Sequence, residues 1–371
     1  MALQKNGMRQ TSVCVCDNGT VNGHVAHRLC APSKRGGGYR LVFDSAGQCH
    51  AKHAHLPQIS GFTAGQDTFT CTDNCIAVSD GHGPKGHHVA RALLRGPTSV
   101  LDVLDTRQWE ARLGACESPW CVADAIRQRV CAHLAGVTEA DSGATLAVML
   151  FLTSGSRRWA VTINVGDSEA LLVSKHDVHV CSVEHNWDNA ALYKRYVRDC
   201  RARGVLPASV CYNRWNDRTG KYRLGKRLKP ILMYDDDEVD VSNARYVSSM
   251  FCTKPRWRYG TQSIRTDVAQ HENWGACVLL KGKARGQSMA TFGDMRQRVQ
   301  THVPMDMCHV YIHEIPVGQA VVALVQTDGV SNGMTLTECM KNISLTSADY
   351  LRRVSKISDD MSVCKASWTP V

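Results

Sequence analysis

The stretch Cys75-Ile-Ala-Val-Ser-Asp80-Gly-His-Gly83 decides the fold that this sequence predicts. Its short apolar start is typical of a buried strand. The Asp-Gly-His-Gly segment then predicts a tight turn, because two glycines tolerate unusual backbone angles, and apolar residues at helical spacing follow it. A carboxylate and an imidazole therefore stand at a strand-to-helix turn. They can act there as a metal ligand and a proton donor, or simply cap the turn.

Acidic residues also stand beside strand-like apolar runs at four other places in the chain. They are Asp67, Asp167, Asp328 and the pair Asp359-Asp360. Hard divalent cations prefer several oxygen ligands, and carboxylates from distant strand ends can supply them without a local loop motif. The pattern therefore favours Mn²⁺ or Mg²⁺ over Zn²⁺.

The order and wording of these segments resemble the type 2C metal-dependent serine/threonine protein phosphatases, the PPM family. The matching segments are Gln66-Asp67, Asp80-Gly-His-Gly83, Ser142-Gly-Ala-Thr145, Asn164-Val-Gly-Asp-Ser168, Ser288-Met-Ala-Thr-Phe-Gly-Asp294, Thr327-Asp-Gly-Val330 and Asp359-Asp-Met-Ser362. They follow the family's order between residues 61 and 364. The resemblance implies an α/β fold: a four-layer αββα sandwich of two mainly antiparallel β-sheets flanked by helices.

The resemblance also implies a reaction and the residues that perform it. The implied metal ligands are Asp67, Asp80, the backbone carbonyl of Gly81, Asp328, Asp359 and, for a third and weaker ion, Asp167. Asp80 would bridge two Mn²⁺ or Mg²⁺ ions, which together activate a water for in-line attack on phosphoserine or phosphothreonine. His82 would protonate the leaving alkoxide. The implied protein is a metal-dependent hydrolase that acts on phosphorylated proteins.

Three residues depart from the family pattern. Phe62 stands where the family carries an arginine that binds phosphate, four residues before Gln66. The candidate replacements are Lys52, His53, His55 and an arginine of the later basic segment. Glu169 replaces a usual arginine, and Asp360 replaces a common asparagine. The loss at position 62 leaves open a metal-binding pseudophosphatase that docks phosphoproteins without turnover.

Composition limits the class of protein. The chain has 371 residues, and its longest apolar run, from Ala144 to Leu152, is too short to cross a bilayer. The first residues lack the apolar core of a signal peptide. We expect a soluble intracellular monomer, cytoplasmic or nuclear, with reduced cysteines. The cysteines and histidines between Cys14 and His55 could hold zinc, but no pair has the Cys-x-x-Cys spacing, which favours simple packing.

The positive charge is concentrated in one segment. Residues 191–300 hold 22 Lys and Arg against 10 Asp and Glu, whereas the rest of the chain holds 22 against 24. We therefore predict an N-terminal extension at 1–57 that is partly sheet and a phosphatase domain at 58–371, with an enlarged basic insertion or flap at about 188–286. Aromatic residues lie among the basic ones, so nucleic-acid binding is an alternative to docking of protein substrates.

The apolar patterns also predict individual elements. We expect helices at 85–104, 118–135, 189–203, 335–342 and 346–355. Strands 144–152 and 159–165 should form a hairpin, with 170–173 as its third strand. Further strands are expected at 309–314, 320–326 and 361–366.

Overall fold

A computed structural model gives the fold. It describes residues 11–15, 25–29, 33–35, 39–59, 61–96, 99–175, 178–187, 189–208, 210–216, 221–224, 274–280, 283–284, 288–304, 307–354 and 359–370. Within these residues, two large antiparallel sheets pack face to face and helices cover their outer faces. The predicted αββα sandwich is confirmed.

One of the two sheets, sheet B, contains the strand Cys75–Ser79 that leads into the Asp-Gly-His-Gly turn. Its described strands, in spatial order, are His309–Ile315, Arg157–Val165, Leu146–Ser154, Cys75–Ser79, Asp67–Cys71 and Thr63–Ala64. The predicted hairpin is confirmed, since Leu146 pairs with Val165 and Ser154 with Arg157. Cys75–Ser79 is buried along its whole length, as its unbroken apolar pattern requires.

Sheet A holds the strands that come early and late in the chain. Its described strands run in the order Thr11–Val15, Val25–Leu29, Tyr39–Gln48, Met361–Pro370, Val321–Gln326, Glu169–Val173 and Val178–Val180, and Ser33–Arg35 also pairs with Tyr39–Gln48. The prediction that 170–173 continues the hairpin is wrong. Glu169–Val173 pairs with Val321–Gln326 instead, because the chain crosses to the other sheet after Gly166, whose φ is +94°.

The core between the sheets is apolar and aromatic. Phe43 and Trp368 of sheet A pack against Phe151 of sheet B, with ring centroids 5.9 Å apart for Phe43–Phe151 and 5.4 Å for Phe151–Trp368. Alternate residues of the same strands face outward, so each sheet has a second apolar face that needs a cover. Helices supply it.

Two groups of helices cover these faces. Helices Gly86–Arg95, Thr106–Gly114, Pro119–Gly136 and Ala190–Ala202 carry buried residues of the apolar layer on sheet B. Helices Asp328–Ser331, Leu336–Asn342 and Ser347–Leu351 lie on sheet A. A further helix, Met295–Thr301, follows the Phe292–Gly293 strand. Within the described residues, no helix is both long enough and apolar enough to span a membrane.

The predicted helix at 85–104 is too long. The first helix ends at Arg95, where Gly96 caps it in an extended conformation, and Val100–Val103 forms a separate 3-10 turn. Helix Thr106–Gly114 was not predicted, although Asp105 caps it by accepting from the backbone N–H of Arg107. The helix expected at 346–355 spans only Ser347–Leu351, whereas the final strand is longer than predicted and reaches Pro370.

The basic segment is described in part. Strands Lys221–Leu224, Val210–Asn216, Trp274–Leu280 and Lys283–Ala284 form a separate sheet in that order. Residues 225–273 lie outside the described residues, and with them Trp257, Tyr259 and part of the basic residues on which the nucleic-acid alternative depends.

Candidate metal centre and active site

A small three-stranded sheet positions the Asp-Gly-His-Gly turn. Gly81–His82 pairs with Gly143–Ala144, which pairs with Phe292–Gly293. The backbone of Asp80 is held by Thr145, whose N–H donates to the Asp80 carbonyl at 2.8 Å. A Cβ on Gly81 would lie 2.4 Å from the carbonyl oxygen of Gly86 and 2.6 Å from that of Gln66. Glycine is therefore required at position 81 by close packing.

Four of the predicted metal ligands converge beside this turn. Asp67, Asp80, Asp328 and Asp359 come from separate elements, yet burial and then their mutual charges raise the pKa of Asp67 and Asp80 well above the ordinary value. Asp80 and Asp328 share a side-chain hydrogen bond. Because like charges repel strongly at low dielectric, such a group needs protons or cations to be stable.

Asp67 lies deepest in this group, with 1% of its surface exposed. Its Oδ2 accepts from the Thr327 hydroxyl at 2.8 Å, and the same hydroxyl accepts from the N–H of Ser362 at 2.9 Å. Its Oδ1 is buried and has no hydrogen-bond partner among the described residues. A buried polar atom without a partner is costly, so this oxygen is suited to a bound cation.

We expect Thr327→Val to damage this support without altering the shape of the site. The valine leaves Asp67 Oδ2 and the Ser362 N–H without their partner, so the free energy of unfolding should fall by about 1–3 kcal/mol. Mn²⁺ affinity should weaken too, because the carboxylate loses the donor that orients it. Urea unfolding and calorimetry with Mn²⁺ check this. Thr153→Val, at a site remote from the carboxylates, is the control, and equal effects in both variants would contradict the assignment.

Asp167 lies next to the same group. Burial, followed by the charges of Asp328 and Glu184, raises its pKa to about 7. Glu184 is itself buried and was not predicted as part of the site. It follows no glycine turn or family motif, so the sequence carried no signal for it.

His82 pairs with an acidic residue far along the chain. Its Nε2 lies 2.5 Å from Oδ2 of Asp294, although the two residues are 212 positions apart. The Thr291 hydroxyl donates to the same Oδ2 at 2.6 Å. Burial lowers the pKa of His82, but the hydrogen bond and charge of Asp294 outweigh it and raise the pKa above its usual value. Asp294 ends the segment Ser288–Asp294 that matches the family, but no catalytic or binding role was predicted for it from the sequence.

The open side of the site contains Asp359 and Asp360. Asp359 is partly exposed and pairs with Lys52, whereas Asp360 is 2% exposed and pairs with His53. His53, Asp359 and Asp360 are close enough together to share a cation. Of the histidines and cysteines considered for zinc, only His53 joins such a group within the described residues, and Cys16, His24 and Cys30 lie outside them.

The two other departures from the family pattern have local explanations. Phe62 packs under a guanidinium, with Cζ of Arg95 3.2 Å from its ring centroid. Glu169 is buried, and its Oε2 accepts from the Gln326 side-chain amide at 2.8 Å. Tyr350 donates to the other end of that amide at 3.1 Å. Glu169 therefore belongs to the packing of sheet A.

The donors fit divalent cations of the Mn²⁺ and Mg²⁺ type. The ligands that converge are carboxylate oxygens, and a buried oxygen of Asp67 lacks a partner among the described residues. A cation in their midst would also relieve the repulsion that raises their pKa values. All the predicted site residues thus gather at one end of the sandwich, joined by Glu184 and Asp294.

Known proteins resemble this chain in structure. No family model matches this chain, and no curated relative matches it. Its structure matches the catalytic domain of the serine/threonine protein phosphatase PstP in complex with two manganese ions, at 12% identity and a TM-score of 0.43, over 89% of this chain and 99% of that one.

Two further matches come from named organisms. One is the serine-threonine phosphatase 2C of Toxoplasma gondii, at 11% identity and a TM-score of 0.41, over 98% of this chain and 100% of that one. The other is the PPM Ser-Thr phosphatase MsPP of Mycobacterium smegmatis in complex with cacodylate, at 12% identity and a TM-score of 0.38, over 92% and 97%.

Proposed function

We propose that this chain is a metal-dependent protein serine/threonine phosphatase. The observation that carries the proposal is the group of carboxylates that meets around buried Asp67, one of whose oxygens has no partner among the described residues. Evolution rarely retains buried like charges without a counter-ion, because each costs several kcal/mol of stability. A pair of divalent ions is the counter-ion that this set of oxygens suits.

Each group in the site then has a distinct task. Asp67, Asp80, Asp328, Asp359 and the Gly81 carbonyl would hold two Mn²⁺ or Mg²⁺ ions, and Asp167 would hold a third more weakly. When bound, these ions supply Lewis-acid activation of water and of the phosphoryl group. The carboxylates fix the geometry of the site, and the apolar core behind them excludes bulk water.

His82 would move the proton that the leaving group needs. Asp294 engages Nε2 of its ring, and within the described residues Nδ1 has no hydrogen-bond partner. The ring is thereby oriented, and Nδ1 can donate to a serine or threonine oxygen. The hydrogen bond and charge of Asp294 raise the pKa of His82, which favours the protonated ring that an acid catalyst requires.

The direct test is hydrolysis of a phosphothreonine peptide by the full chain. Release of phosphate should require added Mn²⁺ or Mg²⁺ and should stop with excess EDTA, then return when metal is restored. Activity that persists in EDTA would contradict a metal-dependent reaction. The same peptide without its phosphate group serves as the control. It cannot release phosphate, so its signal sets the background of the assay.

A second candidate is a pseudophosphatase that binds metal and phosphoproteins without turnover. Phe62 favours it, because a phenyl ring cannot grip a phosphate as a guanidinium does. Mn²⁺ binding with no hydrolysis of the phosphothreonine peptide would select this candidate.

The domain boundaries, the intracellular location, the monomeric state and the nucleic-acid alternative stay predictions from the sequence.

A further inference from the structure

A short turn lies at the open side of the carboxylate site. It is the 3-10 turn Ala51–His53, and buried Asp360 fastens it. Asp360 Oδ1 accepts from the N–H of His50 at 2.7 Å, and its Oδ2 lies 2.5 Å from Nδ1 of His53. The same Oδ2 accepts from the N–H of Gln66 at 2.8 Å. The turn is therefore tied to the backbone that leads directly into Asp67.

The Asp360 carboxylate is also tightly packed against Gly65. Gly65 has a φ of +63°, and a Cβ there would lie 2.1 Å from a carboxylate oxygen of Asp360. Asp360 is thus enclosed between Gly65 and the turn. Its two oxygens are occupied by the three donors, so its task is to hold the turn in place.

The turn carries one cation toward the predicted metal ligands. Nζ of Lys52 lies 2.8 Å from Oδ1 of Asp359, and both side chains are 45% exposed. The Lys52 ammonium also interacts electrostatically with Asp360 and Asp80. The ammonium therefore lies at a solvent-exposed edge of the carboxylate group.

Lys52 is better placed to meet a phosphate than the candidates His53 and His55, or than Arg95, which lies beside Phe62. His53 is committed to Asp360, and His55 is exposed with no ion pair to any described carboxylate. The Arg95 guanidinium lies over the Phe62 ring. Once divalent ions neutralise Asp359, the flexible lysine stem can turn its ammonium to a neighbouring anion.

We propose that Lys52 binds the phosphoryl oxygens of the substrate, supplying the cation that Phe62 lacks, on a turn that Asp360 and His53 hold in position. The inference rests on the metal site of the proposed function, but it concerns substrate binding and not turnover. A lysine serves as a point charge for a phosphate dianion, where an arginine would form a two-pronged contact.

The experiment measures binding without hydrolysis. Full-length protein loaded with Mn²⁺ is titrated with a fluorescent peptide that carries the non-hydrolysable phosphonate analogue of phosphothreonine, and anisotropy gives the Kd. Lys52→Met should weaken binding by about 10- to 30-fold, the loss expected for one hydrogen bond to a charged group. Lys52→Arg should retain most of the affinity. Calorimetry should show that Mn²⁺ binds Lys52→Met at least as tightly as wild type, because a competing cation has been removed.

Two matched variants complete the design. Lys85→Met removes another exposed lysine, one that pairs with Glu139 at 3.3 Å, and it should bind the peptide like wild type. Arg95→Met should do so too. The inference is overturned if Lys52→Met binds within twofold of wild type, if Lys85→Met or Arg95→Met loses as much affinity, or if wild type binds phosphonate and unphosphorylated peptides equally. Tight, Lys52-dependent binding of the phosphonate, together with no hydrolysis of the phosphothreonine peptide in the separate assay, would instead defeat the proposed function and leave the role of Lys52 intact.

Discussion

Asp80→Asn is expected to abolish hydrolysis while the protein stays folded. Asp80 is central to the carboxylate group, since Asp67, Asp328 and Asp359 all act on its charge. An amide keeps the shape of the side chain but removes the negative charge that would bridge two cations. We expect phosphate release to fall at least about 10³-fold and Mn²⁺ affinity to fall with it, because the bridging ligand is lost. Phosphothreonine peptide hydrolysis and Mn²⁺ calorimetry measure the two effects.

The same variant should be more stable than wild type when metal is absent. The raised pKa of Asp80 means that the folded protein holds its proton longer than the unfolded chain does. The contribution of Asp80 to wild-type stability is therefore fully present below about pH 4 and is lost as pH rises through its raised folded-state pKa. The amide of the Asp80→Asn variant carries no such charge. In EDTA at pH 8, urea unfolding should show a higher free energy of unfolding for Asp80→Asn than for wild type, and the difference should vanish at pH 4.

This opposite movement of activity and stability separates a functional loss from misfolding. Asp124→Asn, on an exposed face where the carboxylate pairs with Arg127, is the control and should leave hydrolysis unchanged. Retained hydrolysis in Asp80→Asn would defeat the proposed site. So would a loss of activity that is accompanied by reduced stability in EDTA at pH 8.

His82→Gln is expected to slow the reaction by about 10²- to 10³-fold on a phosphothreonine peptide, the usual contribution of a positioned acid. Glutamine can fill part of the space and accept or donate a hydrogen bond, but it cannot deliver a proton. Mn²⁺ affinity should stay within about threefold of wild type, since the side chain is not among the proposed metal ligands. Steady-state kinetics with saturating metal and calorimetry make the comparison.

The leaving group gives the sharper readout. A 4-nitrophenolate leaves without protonation, whereas a threonine alkoxide does not, so His82→Gln should retain most of its activity toward 4-nitrophenyl phosphate. Asp294→Asn should show the same pattern in a weaker form, because it alters the orientation and charge state of the ring without removing it. Equal losses on both substrates would assign His82 a structural role.

The proximity of the acidic residues could be predicted from local sequence patterns, whereas their proposed roles stay a prediction. Asp67, Asp80, Asp167 and Asp328 each lie beside a glycine and a strand-like run, and the structure brings them together. The hairpin at Leu146–Val165 could also be predicted, because its two apolar runs are joined by a short polar turn. In such cases the residues that signal the structure are neighbours in the chain.

Other features could not be predicted, because they depend on pairing between distant residues or on an apolar pattern that is too weak. His53 meets Asp360 across 307 positions, and no local pattern in either segment indicates the partner. Glu169–Val173 has the apolar pattern of a strand, but that pattern does not say which sheet receives it. Helix Thr106–Gly114 is polar apart from the buried residues Trp109 and Leu113, so its helical period was too weak to read.

The position of the strand Met361–Pro370 determines when sheet A can be completed during synthesis of the chain. It lies inside sheet A, between Tyr39–Gln48 and Val321–Gln326, and Asp359 and Asp360 immediately precede it. Each of these two neighbours has another partner strand, but the edge that faces Met361–Pro370 stays open until that strand has been made. Until then, the two open edges can mispair, and the group of carboxylates lacks Asp359 and Asp360.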